Sequence, residues 1–245
     1  MEARGASPDF HATDPAMRNP AFVGLVRQMR SAVLHSRNLD VRIVRMTFVN
    51  TSKLPLSGVL VSLALFAVAT RRYPGGYYWS RDFISTLFAP STSTGATNEA
   101  RLVAVLAMFV LCLSVAVLFK FVSRRARGRA LAKTLEVGGI GSMVYAFLVV
   151  TPMHDLLVGI SLLFFIPAMA AALDLAYLEH RLVLFLSGLM CLGLLVVAAT
   201  MYYGNIFWHL LPVAQKASMA ACACWLLTLQ LAPLKRASDD GRVVS

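Results

Sequence analysis

The chain has 245 residues, of which 58% are hydrophobic and only 14% charged, and its mean hydropathy is +0.68. That balance excludes an ordinary soluble domain, in which about 25% of residues are charged. A net charge of +11 does not mark a nucleic-acid binder: Lys and Arg sit mainly at the ends of apolar blocks, not in a basic patch interleaved with aromatics, so no nucleic acid is expected and the charge reads as membrane topology.

Residues 1–53 read as a cytoplasmic N-terminal segment. Its first part, Met1 to Arg18, is polar and aperiodic, as disordered chain is, and nothing before Leu54 has the apolar core of a secretion signal. From Asn19 and Pro20 onward, Phe22, Leu25, Val26, Met29 and Val33 fall at helical spacing among Arg27, Arg30 and Arg37. Residues 19–37 are therefore either a basic amphipathic helix on an anionic membrane surface or a loosely ordered tail. Met46 lies just before the first span, and whether residues 1–45 belong to the functional core stays open.

Residues 54–232 read as an all-α, polytopic membrane domain, a bundle of six transmembrane helices at about 54–70, 102–122, 137–151, 156–177, 182–203 and 213–231. The first span is short, roughly 25 Å at about 1.5 Å per residue, so Lys53, Arg71 and Arg72 must snorkel from its ends. The second closes near Lys120 and is followed by Arg124, Arg125, Arg127, Arg129 and Lys133. The third carries Gly138, Gly139, Gly141 and Ser142, and the fourth a stripe of Ala168, Ala172 and Ala176. Such faces suit close helix packing, within the chain or in a homo-oligomer. Pro167 predicts a kink in the fourth span, and Glu179-His180-Arg181 reads as a solvated turn after it. Tyr202, Tyr203, Phe207 and Trp208 suit an interfacial belt. Residues 233–245 form a charged tail. The cysteines Cys112, Cys191, Cys222 and Cys224 all fall inside apolar blocks and read as packing residues.

Most Lys and Arg lie in the N-terminal segment, the link after the second span, Arg181 and the tail, against Arg71, Arg72, Arg81, Arg101 and Lys216 opposite. The distribution predicts a multi-pass protein of the cell inner (plasma) membrane with both termini cytoplasmic and the lipid bilayer as its partner. The long passage Arg71 to Arg101 is then a non-cytoplasmic loop, expected to fold as a lid with Phe83, Ile84, Leu87 and Phe88 dipping into the apolar layer as a short helix.

That loop also carries a resemblance. Tyr73-Pro74-Gly75-Gly76, then Asp82-Phe83-Ile84-Ser85-Thr86-Leu87, then Gly95 and Asn98, with His154 opening the fourth span, resemble the bacterial six-span membrane family called domain of unknown function 998, itself similar to the DRAM and Sfk-type membrane proteins. Phe88 stands where members of that family often carry Gly. The resemblance covers roughly residues 54–231 and implies the six-span fold and a membrane location, with no established reaction.

Asp82, Ser85, His154, Asp155 and His209 come from three links expected on the far side, so they could meet at the mouth of the bundle and are the candidate catalytic residues. His154, Asp155 and His209 would suit a Zn²⁺ with one open position, which is the chemistry of a metal-dependent membrane hydrolase. Against this, the chain has no HExxH and no GxSxG around Ser85. Helix capping gives another account: Asp82 and Ser85 would cap or turn a short interfacial segment, and His154 and Asp155 would cap the fourth helix. No cofactor is assigned, since no pair of His lies where two facing helices could hold a transmembrane haem pair. Asp174, near the cytoplasmic end of the fourth span, would serve a proton-coupled or small-solute transporter, or would pair with Arg181 or Lys120. The residues name no reaction; the reading they favour is a membrane protein that binds a lipid or other membrane-embedded ligand under its non-cytoplasmic loop.

Overall fold

The computed structural model describes residues 53–92 and 94–232. The expected surface helix at 19–37, the rest of the N-terminal segment and the tail at 233–245 lie outside them. The described chain is helical, with no strand among the described residues beyond a single bridge between Ser91 and Thr97.

The helices are α1 (Leu54–Arg72), α2 (Arg101–Ser123), α3 (Arg129–Lys133), α4 (Gly139–Leu148), α5 (His154–Leu178), α6 (Leu182–Gly204) and α7 (Leu211–Leu231). A 3₁₀ turn, Ile84–Phe88, lies in the loop between α1 and α2. Four helices, α1, α2, α5 and α6, are long and apolar enough to cross a membrane. Many of their large apolar side chains face outward, with Leu102, Leu163, Val183 and Met190 at least 70% exposed. In water such surfaces would drive association; in hydrocarbon they need no cover.

The first, second, fourth and fifth expected spans are plain helices within two residues of their expected ends. The third departs from the expected 137–151. Its helix starts already at Arg129, widens into a π turn at Thr134–Gly138 and ends at Leu148. Tertiary contacts account for the offset. Lys120 on α2 pairs with Glu136 within the π turn, Leu135 is fully buried, and a side chain at Gly139 would overlap Phe119. α7 is long enough as well, but Gln215, Lys216 and Gln230 among its apolar residues keep it out of that set.

Packing proceeds by antiparallel neighbours: α1 on α2, α4 on α5 and α6 on α7, with α2 touching α4, the π turn and α7 as well. Hydroxyls join them inside the apolar layer. Ser62 donates to the Ala107 carbonyl at 2.7 Å and Ser161 to that of Ser142 at 3.0 Å, bonds that hold helices together where burial alone gives no preference. The small-residue faces are consumed within the chain. Ala168, Ala172 and Ala176 are fully buried, and a Cβ at Gly138 would stand 3.0 Å from the Phe164 carbonyl oxygen and 3.1 Å from the Ala168 Cβ. A second copy of the chain would have to use another face.

The end of the bundle away from the α1–α2 loop is fastened by charge. Arg125 donates to both carboxylate oxygens of Glu179, at 2.9 and 2.6 Å, and to the terminal carbonyls of α7 at Leu229 and Gln230. Arg181 joins the same carboxylate at 3.1 Å. Glu179 therefore does not belong to a solvated turn: both it and Arg125 are mostly buried.

Candidate functional site

The α1–α2 loop is built as a lid. It leaves α1 through a turn in which Gly75 and Gly76 take φ of +82° and +87°, a region open to glycine at no steric cost. The chain then closes on itself: the amides of Arg81 and Asp82 donate to the Tyr78 carbonyl at 3.0 and 2.8 Å, and the Asp82 carboxylate accepts from the Tyr78 amide at 2.7 Å. The Tyr77 hydroxyl donates to the Asp82 carbonyl at 3.0 Å. Burial, then the Asp82 carboxylate and Tyr73, hold that hydroxyl well above the ordinary tyrosine pKa, so it stays neutral.

The 3₁₀ turn anchors the lid from below. Leu87 and Phe88 are 1% and 5% exposed and pack into the cluster that α1 and α2 form at this end with Phe66, Ala69, Ala104 and Met108. Asn98, itself buried, donates to the carbonyls of Leu87 and Ala89 at 3.0 and 2.9 Å and accepts from the Ala100 amide at 3.0 Å. One side chain thus ties the turn to the start of α2.

The lid is also held by α7. The Lys216 ammonium donates to the carbonyls of Trp79 at 2.9 Å, of Asp82, and of Pro212 on its own helix at 3.2 Å. It also lies over the rings of Tyr77 and Trp79, at 5.5 and 5.9 Å from their centroids. Trp208, in the α6–α7 link, packs between Phe83 of the lid and Tyr202 of α6, with centroids 5.5 and 6.0 Å apart.

Beneath this lid the helices border a half-open cavity of about 480 Å³. Its walls are apolar, with Phe66, Leu111, Val115, Phe165, Leu195 and Met219 among them. Its polar lining gathers at the lid end: Tyr77 and Ser85 from the loop, His154 from the start of α5, Tyr202 and Tyr203 from the end of α6, and Gln215 and Lys216 from the start of α7. The result is an amphipathic chamber, apolar at depth and polar under the lid.

The five residues singled out in the sequence are distributed unevenly around it. Ser85 and His154 line the cavity. Asp82 contributes its backbone carbonyl to Lys216 while its carboxylate is spent on Tyr78. Asp155 faces out, 80% exposed, where its carboxylate accepts from Tyr202 and pairs with His154 Nδ1 at 3.0 Å. His209 is exposed in the α6–α7 link. The expectation that His154 and Asp155 cap α5 is corrected: its N-cap is Met153 and no side chain bonds there, because Tyr202 draws the carboxylate sideways towards α6. Among the described residues no three His, Cys, Asp or Glu side chains come together as a metal site would require. Asp174 lies exposed on α5, outside the cavity lining. Lys120 and Arg181, the partners expected for it, bond instead to Glu136 and Glu179.

Lys216, Gln215 and Tyr202 were not among the candidates. The available signal was the cost of the first two: a Lys and a Gln in the opening turns of an otherwise apolar helix are costly in a membrane unless they have work to do. Comparison of the chain with family models, with curated proteins and with solved structures returns no match.

Proposed function

We propose that the chain is a six-span membrane protein whose cavity binds an amphiphilic, membrane-derived ligand under the α1–α2 lid. The observation that carries this reading is the gradient within one chamber: about 480 Å³ with apolar walls, and most of its polar groups gathered at the lid end. That volume lies in the range of about 300–1,000 Å³ typical of ligand sites, and the gradient fits a hydrocarbon chain at depth with its head beneath the lid.

In this account α1, α2, the broken helix α3–α4, α5, α6 and α7 are the spans. The lid faces the non-cytoplasmic side of the plasma membrane, and both termini are cytoplasmic. The charge distribution supports the orientation: Arg124, Arg125, Arg127, Arg129, Lys133 and Arg181 gather at the end away from the lid. Membership of the domain of unknown function 998 family is supported by what its shared residues do, since the Gly75-Gly76 turn, Leu87 and Asn98 are the lid's hinge, anchor and tie. The hydrolase reading has less behind it, as only the His154–Asp155 pair forms.

Purified protein in mild detergent, analysed by native mass spectrometry, tests the proposal. It is expected to carry one amphiphile that Met219→Trp and Leu111→Trp, which fill the cavity, displace. Protein that carries none, or filled variants that retain it undiminished, would overturn the reading.

A further inference from the structure

The opening of the chamber has a definite place in the bundle. Helices α1, α2, α4, α5, α6 and α7 border it, and each packs along the next in that order. The junction that would close the ring, α7 to α1, has no comparable packing. At the end away from the lid α7 is held to α2 instead, through Arg125 and the Leu229 carbonyl. Towards the lid an interval is left between α1 and α7.

The exposure of the lining residues marks the rim of that interval. On α1, Val59, Leu63 and Phe66 lie along one stripe of the lining. Val59 and Phe66 are 7% and 8% exposed, but Leu63 between them is 57% exposed. Its neighbour Ser62 is fully buried, with its hydroxyl bonded to Ala107 of α2, so Leu63 stands on the flank that turns away from α2. On α7, Ala220 and Cys224 line the cavity and are exposed. They lie about half a turn around the helix from Cys222, which is buried against the Cys191 carbonyl of α6. Both helices thus turn exposed lining residues towards the same interval.

Their depths match as well. Leu63 lies nine residues before the lid end of α1 at Arg72, and Ala220 nine residues after the lid end of α7 at Leu211. At about 1.5 Å per residue both are about 13 Å below the lid, near the midplane of a hydrocarbon core about 30 Å thick. The rim carries no charge at that level. Nearer the lid the interval is bridged, because Lys216, one turn before Ala220, donates to the carbonyls of Trp79 and Asp82.

We propose that the chamber is loaded sideways: a lipid of the lid-side leaflet passes its hydrocarbon chain between α1 and α7 at Leu63, Ala220 and Cys224. This rests on the reading that the cavity binds an amphiphile, and it names the source of that amphiphile as the bilayer and not the aqueous phase. A hydrocarbon chain crosses this rim without stripping water from any polar group, whereas entry through the lid would break the bonds of Lys216.

The experiment follows the uptake of dodecanol carrying a diazirine in its chain by the full-length protein in phosphatidylcholine vesicles, irradiated at increasing delays after mixing. Adducts on Leu111 and Met219 are expected to appear about tenfold more slowly in Ala220→Phe and in Leu63→Trp than in wild-type protein, and to reach the wild-type level. Val183→Trp, on an outward face of α6, is expected to keep the wild-type rate. Both rim positions are exposed, so larger side chains there leave the core undisturbed, and each variant is first shown to be monodisperse. A wild-type rate in either rim variant, or equal slowing by Val183→Trp, overturns the side entrance while leaving the chamber as the ligand site. A final level that falls together with the rate also overturns it, since the rim residues would then belong to the site itself. If wild-type protein gives no adduct on Leu111 or Met219 at any delay, the cavity reading itself falls.

Discussion

Replacing Lys216 by Met should loosen the lid without unfolding the bundle. The substitution keeps the aliphatic stem but removes two hydrogen bonds to lid carbonyls, at Trp79 and Asp82, and the cation over Tyr77 and Trp79. Hydrogen bonds from a charged donor contribute about 1.5–3 kcal/mol each and an exposed cation–π contact about 0.5–1 kcal/mol. Lys216 is only partly buried, so water competes for the ammonium and the low-end sum of about 3.5 kcal/mol is discounted to a net loss of about 2 kcal/mol. That corresponds to a roughly thirtyfold rise in the population of lid-open molecules. Hydrogen exchange reads this locally. The amides of Asp82, Thr86 and Ala89, which bond within the lid, should exchange about thirtyfold faster, while those in the middle of α2 keep their wild-type rates. Lys216→Arg, which retains the charge, should fall between. Unchanged exchange across residues 77–89, or acceleration that spreads equally through the helices, would refute the assignment of Lys216 as the lid's fastener.

Asn98→Leu removes the donor to the Leu87 and Ala89 carbonyls and the acceptor for the Ala100 amide; thermal unfolding should show a loss of about 2–3 kcal/mol, the cost of leaving buried backbone groups unpaired. At the other end, Arg125→Met leaves Glu179 with Arg181 as its remaining cation and strands the last carbonyls of α7, and equilibrium unfolding should register a loss of about 2–3 kcal/mol. Gly188→Ala would press its new methyl into Trp225, a ring held by its bond to the Leu184 carbonyl at 2.8 Å. It should cost about 1–3 kcal/mol in the same assay, with Trp225→Leu in the same chain recovering part of the loss.

The parts of the fold written as apolar periodicity and length were legible in the sequence. Blocks of apolar residues ended by Arg, Lys or Pro located α1, α2, α5 and α6, and the Pro74-Gly75-Gly76 and Phe83-Ile84 signals located the lid's turn and its short helix. The π turn was hidden because it depends on how Glu136 meets Lys120, residues 16 apart in the chain. Arg125 was hidden for a related reason. Within a run of basic residues it counts as topology, and only the approach of α5 and α7 turns it into a buried tie.

For the site, residue type pointed to the end of the bundle where the cavity's polar lining gathers, and partly to residues outside that lining. His and Asp attract attention because they are the usual catalytic groups, yet here Asp155 faces outward and His209 stands apart. The polar end of the chamber is formed instead with Lys216, Gln215 and Tyr202, whose places there depend on three-dimensional neighbours. A Lys in the first turns of an apolar helix was nonetheless the visible clue.

The central claim, that the chamber beneath the lid receives an amphiphile, is tested most directly by photo-crosslinking. Wild-type protein in bilayers would be labelled with a long-chain alcohol carrying a diazirine in its chain, and the adducts mapped by peptide mass spectrometry. The account predicts adducts on inward-facing Met108, Leu111 and Met219, lost when Met219→Trp fills the cavity. Adducts confined to the outward-facing Leu102, Leu163 and Val183 would mean that the probe meets the protein only as bulk lipid, and would contradict it.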